Sequence, residues 1–180
     1  MTSPQSLIAQ LGTVMQLAFV PKDFDAALRH WTETMGVGPF FRMSHVTLLN
    51  TKHEGLPVEI DFSIAIAYWG DLQIELVQQH NEAPSIYKTW LDQGREGLHH
   101  VCVVVDDMVR ARSVCASAGV RVAQEAEVPG GGEVIYVDTG SGPGGLVEII
   151  RLPQGTLDGF AWMREQCRQW DGTDPVRQLG

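Results

Sequence analysis

The chain has 180 residues, of which 44% are hydrophobic and 19% are charged, and its formal net charge is −9. This composition predicts a folded globular protein, and the negative charge with only three lysines argues against nucleic acid or an anionic membrane surface as the main partner. No apolar run approaches the roughly 20 residues that cross a bilayer, and the amino terminus lacks a signal-peptide pattern, which predicts a cytoplasmic protein without membrane contact.

The first predicted elements are a strand and an amphipathic helix. Thr13–Val20 is rich in strand-forming residues, with Gln16 as its one strongly polar side chain. Pro21 ends the strand because proline cannot donate to a continuing ladder. Asp23 is then a good N-cap for a helix whose apolar side chains recur at helical spacing, and Gly36 ends this helix.

Three strands are predicted next. One spans Phe40–Leu49 and is followed by a predicted loop at residues 50–57, where glycine and proline break the pattern. Two apolar segments flank Trp69-Gly70-Asp71 and predict a hairpin. The second strand of this hairpin, Leu72–Val77, alternates with period 2 and carries Glu75 in its middle.

The second half of the chain repeats this order after a polar connection at residues 79–96, in which a short helix is predicted at residues 86–91. A strand opens at Gly97, contains a histidine pair, and stops at two aspartates that cap the next helix. Three further strands follow, with a glycine-rich turn at residues 140–145 before the last one. That last strand carries Glu148 in its interior.

The two halves can be aligned residue by residue. Matching Gln16 with His100 gives an offset of 84 residues for the first strand of each half, and Glu148 holds the place in the last strand of the second half that Glu75 holds in the last strand of the first. Such internal repetition governs the fold prediction. It divides the chain into a leader (1–11), a first module (12–78), a connection (79–96), a second module (97–152) and a C-terminal segment (153–180). That segment has the apolar spacing of one helix, and the chain from Asp171 is expected to be loosely held.

The two modules, with the segments Gly97-Leu98-His99-His100-Val101 and Leu146-Val147-Glu148-Ile149, resemble the vicinal oxygen chelate superfamily. This superfamily includes glyoxalase I, methylmalonyl-CoA epimerase, extradiol dioxygenases and the fosfomycin- and bleomycin-resistance proteins. The resemblance covers about residues 12–152. It implies an α+β fold in which tandem βαβββ modules form an open, cup-shaped mixed sheet with flanking helices.

Carried over position by position, the resemblance implies that Gln16, Glu75, His100 and Glu148 bind one divalent metal ion. An amide oxygen, two carboxylates and an imidazole suit zinc, nickel, cobalt or manganese. Iron(II) is less favoured, because Gln16 stands where the extradiol dioxygenases use a histidine. Alternation along the strand predicts that His99 points to the opposite face from His100, in a structural role or in support of the ligands.

The resemblance to epimerases and glyoxalases implies proton transfer next to a carbonyl, so a metal-dependent isomerase or epimerase is the leading hypothesis. Glu148 is the expected base and Glu75 its candidate partner on the opposite face. The expected substrate is a small hydrophobic carbonyl compound or an acyl thioester. Two alternatives stay open: a glyoxalase-type lyase acting on a thiol adduct, and a non-catalytic protein that binds a small molecule, as resistance proteins do. Tandem modules permit a complete site in one chain, with a homodimer as an added expectation.

Overall fold

A computed structural model describes residues 7–140 and 145–179. The first six residues of the predicted leader and residues 141–144 of the predicted glycine-rich turn lie outside this part. The strands are β1 (Val14–Val20), β2 (Phe40–Met43), β3 (Leu49–His53), β4 (Leu56–Pro57), β5 (Phe62–Trp69), β6 (Leu72–Gln79), β7 (Gly97–Val104), β8 (Arg121–Val128), β9 (Gly132–Asp138), β10 (Leu146–Arg151) and β11 (Val176–Leu179). The α-helices are α1 (Phe24–Arg29), α2 (Ile86–Asp92), α3 (Met108–Ser117) and α4 (Gln154–Arg168). None of the helices in these ranges is long and apolar enough to cross a membrane.

All the strands in the described ranges belong to one mixed sheet, in the order β11-β2-β5-β6-β1-β7-β10-β9-β8-β3-β4. The antiparallel pair of β1 and β7 lies near its centre. One half contains β1, α1, β2, β5 and β6, and the other contains β7, α3, β8, β9 and β10. In each half the last strand lies parallel to the first. The predicted α+β fold, with two βαβββ units in one open sheet, is therefore confirmed.

The pairing register relates the two halves in the same way as the sequence alignment. On β1, Ala18 lies opposite Glu75 of β6, and on β7, Cys102 lies opposite Glu148 of β10. Positions 18 and 102 differ by 84, which is the offset found from the sequence. The two glutamates therefore occupy equivalent places on either side of the central strand pair.

The outer face of the sheet is covered by α1 in the first half and by α3 in the second. Each helix starts at an aspartate whose side chain accepts a hydrogen bond from the backbone three residues later. Asp23 Oδ1 lies 2.8 Å from the Ala26 nitrogen, and Asp107 Oδ1 lies 2.9 Å from the Arg110 nitrogen. These caps satisfy backbone donors that the first helical turn leaves free, and they confirm both aspartates as helix starts.

The inner face carries the two other helices. Tyr87 and Trp90 of α2 join a buried cluster with residues of both halves of the sheet. Met163 of α4 packs on Phe41 and Ile66 of the first half. Both helices also line the cavity described below, so the inner face is partly filled and only a small part stays open.

The predicted loop at residues 50–57 is wrong, because this segment forms two strands. The predicted strand Phe40–Leu49 ends at Met43, and the chain turns at His45, whose φ is 52°. β3 then pairs with β8 of the other half. Its polar sequence conceals the strand, since the stabilisation comes from backbone pairing with the free edge of β8 and not from an apolar face. We call residues 44–57 the arm.

The chain after α4 also differs from the prediction of a loosely held tail. β11 pairs in parallel with β2 and extends the sheet at its edge. The Trp170 indole N–H donates to the Thr173 carbonyl at 2.6 Å, and the ring lies so close to Gly38 that a Cβ there would be 2.9 Å away. The tail from Asp171 is thus held by strand pairing and by one aromatic ring, neither of which follows from its own polar sequence.

Gly132→Ala is expected to destabilise the protein by about 1–3 kcal/mol. The added Cβ would lie 2.7 Å from the Arg151 carbonyl oxygen and 2.8 Å from Val128 Cβ. Gly159→Ala is the matched control, because its Cβ would meet nothing within 4 Å on α4. Alanine has the higher helix propensity, so the control should gain about 0.5–1 kcal/mol. Urea unfolding measures both changes, and equal effects would contradict the tight packing of β9 between β8 and β10.

Candidate metal centre and active site

Three ionisable side chains meet on the inner face beside the central strand pair. Glu75 of β6, His100 of β7 and Glu148 of β10 each offer a ligand atom, and these atoms lie within 4.8 Å of one another. His100 Nε2 lies 3.0 Å from Glu148 Oε2 and 3.8 Å from Glu75 Oε2. All three residues are buried. The fold therefore brings together three of the four residues predicted as ligands.

The fourth residue, Gln16 of β1, is buried and lines the same cavity as the two glutamates. Its Nε2 donates to Gln73 Oε1 at 2.5 Å, and Gln73 Nε2 donates to the Tyr68 hydroxyl at 2.7 Å. Gln16 Oε1 has no hydrogen-bond partner among the described residues. A buried acceptor without a hydrogen bond lowers the stability of the folded state by about 1–3 kcal/mol, and a cation at the site would give this oxygen a partner.

The predicted direction of His99 is wrong, because its side chain does not lie on the face opposite His100, although its contact with the His100 ring agrees with a role in support of the ligands. The register between β7 and β1 shifts by one residue at this point, which is the mark of a β-bulge. His99 therefore packs with Tyr87 and Trp90 of α2, and its ring also contacts the ring of His100. Strict alternation fails wherever an extra residue enters a strand.

The two histidines form a relay that fixes the proton position on His100. His99 Nε2 lies 3.2 Å from the Ile86 carbonyl oxygen, which only accepts, so this nitrogen carries a proton. Burial, with His100 adding to it, lowers the pKa of His99 to about 3, so the ring is neutral and its Nδ1 accepts. The two Nδ1 atoms are 2.8 Å apart, and His100 Nδ1 is the donor. The proton on Nδ1 leaves His100 Nε2 as the ring atom directed at the carboxylates, which is the atom that a metal ion would use.

The two carboxylates lie where their combined charge is disfavoured. Burial, with the charge of Glu148 adding to it, raises the pKa of Glu75 well above its ordinary value. Glu148 Oε1 accepts a hydrogen bond from the Tyr136 hydroxyl at 3.3 Å. Among the described side chains, His100 is the one ion-pair partner of either glutamate. The site therefore lacks a resident positive charge large enough to balance both carboxylates.

The donor set fits a divalent metal ion. It combines one imidazole nitrogen, two carboxylates and the unpaired amide oxygen of Gln16, which is a mixed N/O set. A second group of donors, His45, Asp61 and His80, lies near the arm. There His45 Nδ1 is 2.7 Å from Asp61 Oδ1, and His80 Nε2 is 2.6 Å from the Ser63 hydroxyl. These atoms are already hydrogen-bonded and both histidines are exposed, so the buried group is the better metal site.

Sequence reasoning missed two residues that support this site, Gln73 and Tyr87. Gln73 precedes Glu75 by two residues on one strand, so alternation alone could have placed it beside the ligands. The Tyr87 hydroxyl lies 3.1 Å from the Tyr136 hydroxyl and extends the hydrogen-bonded group around Glu148. No local pattern predicts this contact, because it depends on where α2 packs.

A cavity of about 310 Å³ lies against Gln16, Glu75 and Glu148. Its walls come from inner-face strand residues, from the arm, from the turn between β8 and β9, and from α4. The apolar wall residues include Val46, Ile66, Val128, Pro129, Ile150 and Phe160. An apolar cavity with a few convergent polar groups and a perturbed carboxyl is the usual form of a small-molecule site.

The sequence matches the family described as the glyoxalase/bleomycin resistance protein/dioxygenase superfamily over residues 15–137. The chain belongs to this superfamily. The matched segment contains Gln16, Glu75 and His100, whereas Glu148 and α4 lie beyond it. The search of curated proteins gave no match.

Solved structures share the superfamily fold. A variant of the Streptomyces coelicolor methylmalonyl-CoA epimerase in complex with 2-nitronate-propionyl-CoA has a TM-score of 0.56 at 19% identity, over 78% of this chain and 97% of that one. The Mycobacterium tuberculosis methylmalonyl-CoA epimerase has a TM-score of 0.56 at 17% identity, over 87% and 97% of the two chains. A hypothetical protein from Bacillus halodurans has a TM-score of 0.55 at 17% identity, over 78% and 94%. At these identities the likeness concerns the fold, and the reaction has to be argued from the site.

Without metal, Glu75 is expected to make stability depend on pH. Its raised pKa means that the folded state favours the protonated carboxyl, so the associated stability is present below the ordinary value of 4.5 and is lost as the pH rises through the folded value. Glu75→Gln removes this dependence. Urea unfolding in EDTA between pH 4.5 and 8 should show the variant gaining stability relative to the unmodified protein as the pH rises. A constant difference across that range would contradict the raised pKa.

Proposed function

We propose that this protein is a metal-dependent isomerase or epimerase that transfers a proton next to a carbonyl group. The main support is the pair of buried carboxylates around one imidazole at the polar floor of an apolar cavity. Proton removal beside a carbonyl needs a base near the carbon and positive charge near the oxygen. The two glutamates supply the first requirement, and a cation among the four donors supplies the second.

In this proposal Gln16 Oε1, His100 Nε2 and the carboxylates of Glu75 and Glu148 hold one divalent metal ion, with zinc, nickel, cobalt or manganese favoured over iron(II). When bound there, the ion polarises the substrate carbonyl and stabilises the charge that develops on its oxygen. The hydrogen bonds behind the amide and the imidazole keep both neutral donors in orientation. One chain carries all four donors, so the site does not need a second subunit. We also propose a homodimer and a cytoplasmic location for the protein.

Glu148 is the proposed base. His100 Nε2 and the Tyr136 hydroxyl hold its two oxygens, and its side chain lines the cavity where a substrate would lie. Glu75 lines the same cavity, and its raised pKa in the metal-free protein favours the protonated carboxyl that a proton donor needs. For inversion, Glu148 would take the proton from one face of the carbon, and Glu75, protonated and released from the metal, would give its own proton to the opposite face. Both carboxyls would then return to their starting states by proton exchange with solvent. Return by Glu148 itself exchanges the proton without inversion.

Glu148→Gln is expected to lower proton exchange by about 100- to 10,000-fold, because a positioned general base typically contributes that much. NMR in deuterated water measures exchange into 2-substituted acyl thioesters, and rates are expressed per bound metal so that metal loss is not counted as loss of the base. Glu59→Gln alters an exposed glutamate outside the cavity and should leave exchange unchanged. An active Glu148→Gln variant would remove Glu148 as the base.

A glyoxalase-type lyase acting on a thiol adduct is the second candidate. The unpaired Oε1 of Gln16 favours it, because a glutamine at this place completes the donor set that resembles glyoxalase I. The same pair of carboxylates would serve its proton transfer. Turnover of a hemithioacetal, together with no exchange into any acyl thioester, would replace the first candidate with this one. Failure of both reactions in the metal-loaded protein would leave small-molecule binding as the function.

The metal proposal makes two quantitative expectations. Protein reconstituted with a divalent metal should hold about one ion per chain, and less than about one-tenth of an ion per chain would overturn metal dependence.

His99→Phe should weaken metal binding by about 10- to 100-fold, since His100 then loses the partner that orients it. His99→Gln keeps a donor and an acceptor and should fall between. Trp90→Phe changes a ring that packs on His99 but not the relay, so chelator competition should show unchanged affinity for it.

A further inference from the structure

The walls of the cavity differ chemically from its floor. At about 310 Å³ it lies near the lower end of the range of roughly 300–1,000 Å³ for ligand sites. Its charged and amide side chains are confined to the floor, and its walls are almost entirely aliphatic or aromatic. No lysine or arginine of the described residues lines it, and the sequence has none in residues 1–6, 141–144 or 180. The cavity thus offers no basic side chain to an anionic part of a substrate.

A substrate that carries a carboxylate away from its reacting carbonyl would meet unfavourable surroundings here. The floor already holds Glu75 and Glu148, which together balance the charge of one divalent ion. A third carboxylate against the walls would lose its hydration without gaining a partner. An apolar chain in the same place gains free energy from burial.

Part of the apolar wall comes from the arm and from α4, which lie outside the repeated strands. Val46 and Leu48 belong to the arm, and Phe160 belongs to α4. Met163 anchors α4 on the inner face of the sheet, where it is buried against Phe41. Phe160 therefore belongs to a fixed wall and not to a free surface helix. It lies beyond residue 137, where the match to the superfamily ends.

We infer that the substrate is a carbonyl compound whose chain beyond the reacting carbon is apolar and uncharged, and that α4 and the arm select it. This inference rests on the proposed function, since it requires the reacting carbonyl to lie over the carboxylate floor. Acyl groups that carry a carboxylate on the chain beyond the reacting carbon are excluded. Phe160 of α4 and Val46 of the arm then act as specificity-determining residues, because they supply apolar surface where a charged chain would need a cation.

A matched pair of thioesters tests the inference. The N-acetylcysteamine thioesters of 2-methylhexanoic acid and 2-methyladipic acid, the latter joined through the carboxyl beside the methyl-bearing carbon, have chains of the same length. They differ only at the far end, where the second carries a carboxylate, so the reacting protons have nearly the same acidity. With the metal-loaded protein, kcat/KM for deuterium exchange should be at least about 100-fold higher for the neutral compound.

Each outcome bears on one proposal. Similar rates for the two compounds, or faster exchange of the carboxylate, overturns the inference and leaves the proposed function standing. Exchange of neither compound counts against the proposed function. Equilibrium binding of both thioesters then tests the inference by itself: tighter binding of the neutral compound supports it, and equal or weaker binding of that compound overturns it.

Phe160→Lys places a cation at the selective wall and should reduce the preference for the neutral thioester by at least about tenfold. Thr156→Lys lines the same wall and provides a second variant if the first does not fold. Val109→Lys adds the same charge at a position of α3 that is 81% exposed, and it should leave the preference unchanged. An unchanged preference in a folded wall variant would remove α4 as the selecting element.

Discussion

The antiparallel pairing of β1 with β7 is the interaction on which the candidate site depends. It joins the two halves near the centre of one sheet, and the parallel partners β6 and β10 then lie directly outside it. Gln16 and His100 come from the central pair, and Glu75 and Glu148 come from the flanking strands. Four donors on four hydrogen-bonded neighbours are spaced by the backbone ladder. A site built in this way is held more precisely than one carried by loops.

This arrangement places opposing demands on the buried groups. Two carboxylates share an apolar cup with one imidazole, and burial of unbalanced charge is unfavourable. The raised pKa of Glu75 is one response, because a proton on that carboxyl removes one of the charges. A divalent cation is another response, and it requires the proton to leave. Metal binding and proton release are therefore coupled at this site, which is the property that an acid-base catalyst beside a metal needs.

The features that the sequence predicts well are those set by local periodicity and repetition. Glu75 and Glu148 could be placed at equivalent positions because each lies inside the last strand of its half, and in the structure each of these strands pairs in parallel with the first strand of the same half. Features that depend on backbone pairing or on an inserted residue were not predictable. The bulge at His99 reverses the expected direction of one ring, and the strands at Leu49–His53 and Val176–Leu179 form only because distant sheet edges accept them.

The distinction between features that the strand repeat predicts and features that it does not also separates the chemistry of the cavity from its selectivity for substrates. The floor is built from the repeated strands that the chain shares with its superfamily, so it carries the donors and the carboxylates. The walls at Val46 and Phe160 come from the arm and from α4, whose positions neither the repeat nor the strand pattern predicts. Val46 and Phe160 lie outside the strands, so changes of these two side chains can alter what fits without disturbing the ladders of the sheet. A shared fold therefore fixes neither the reaction nor the substrate, and both have to be argued from the side chains on the floor and walls of this cavity.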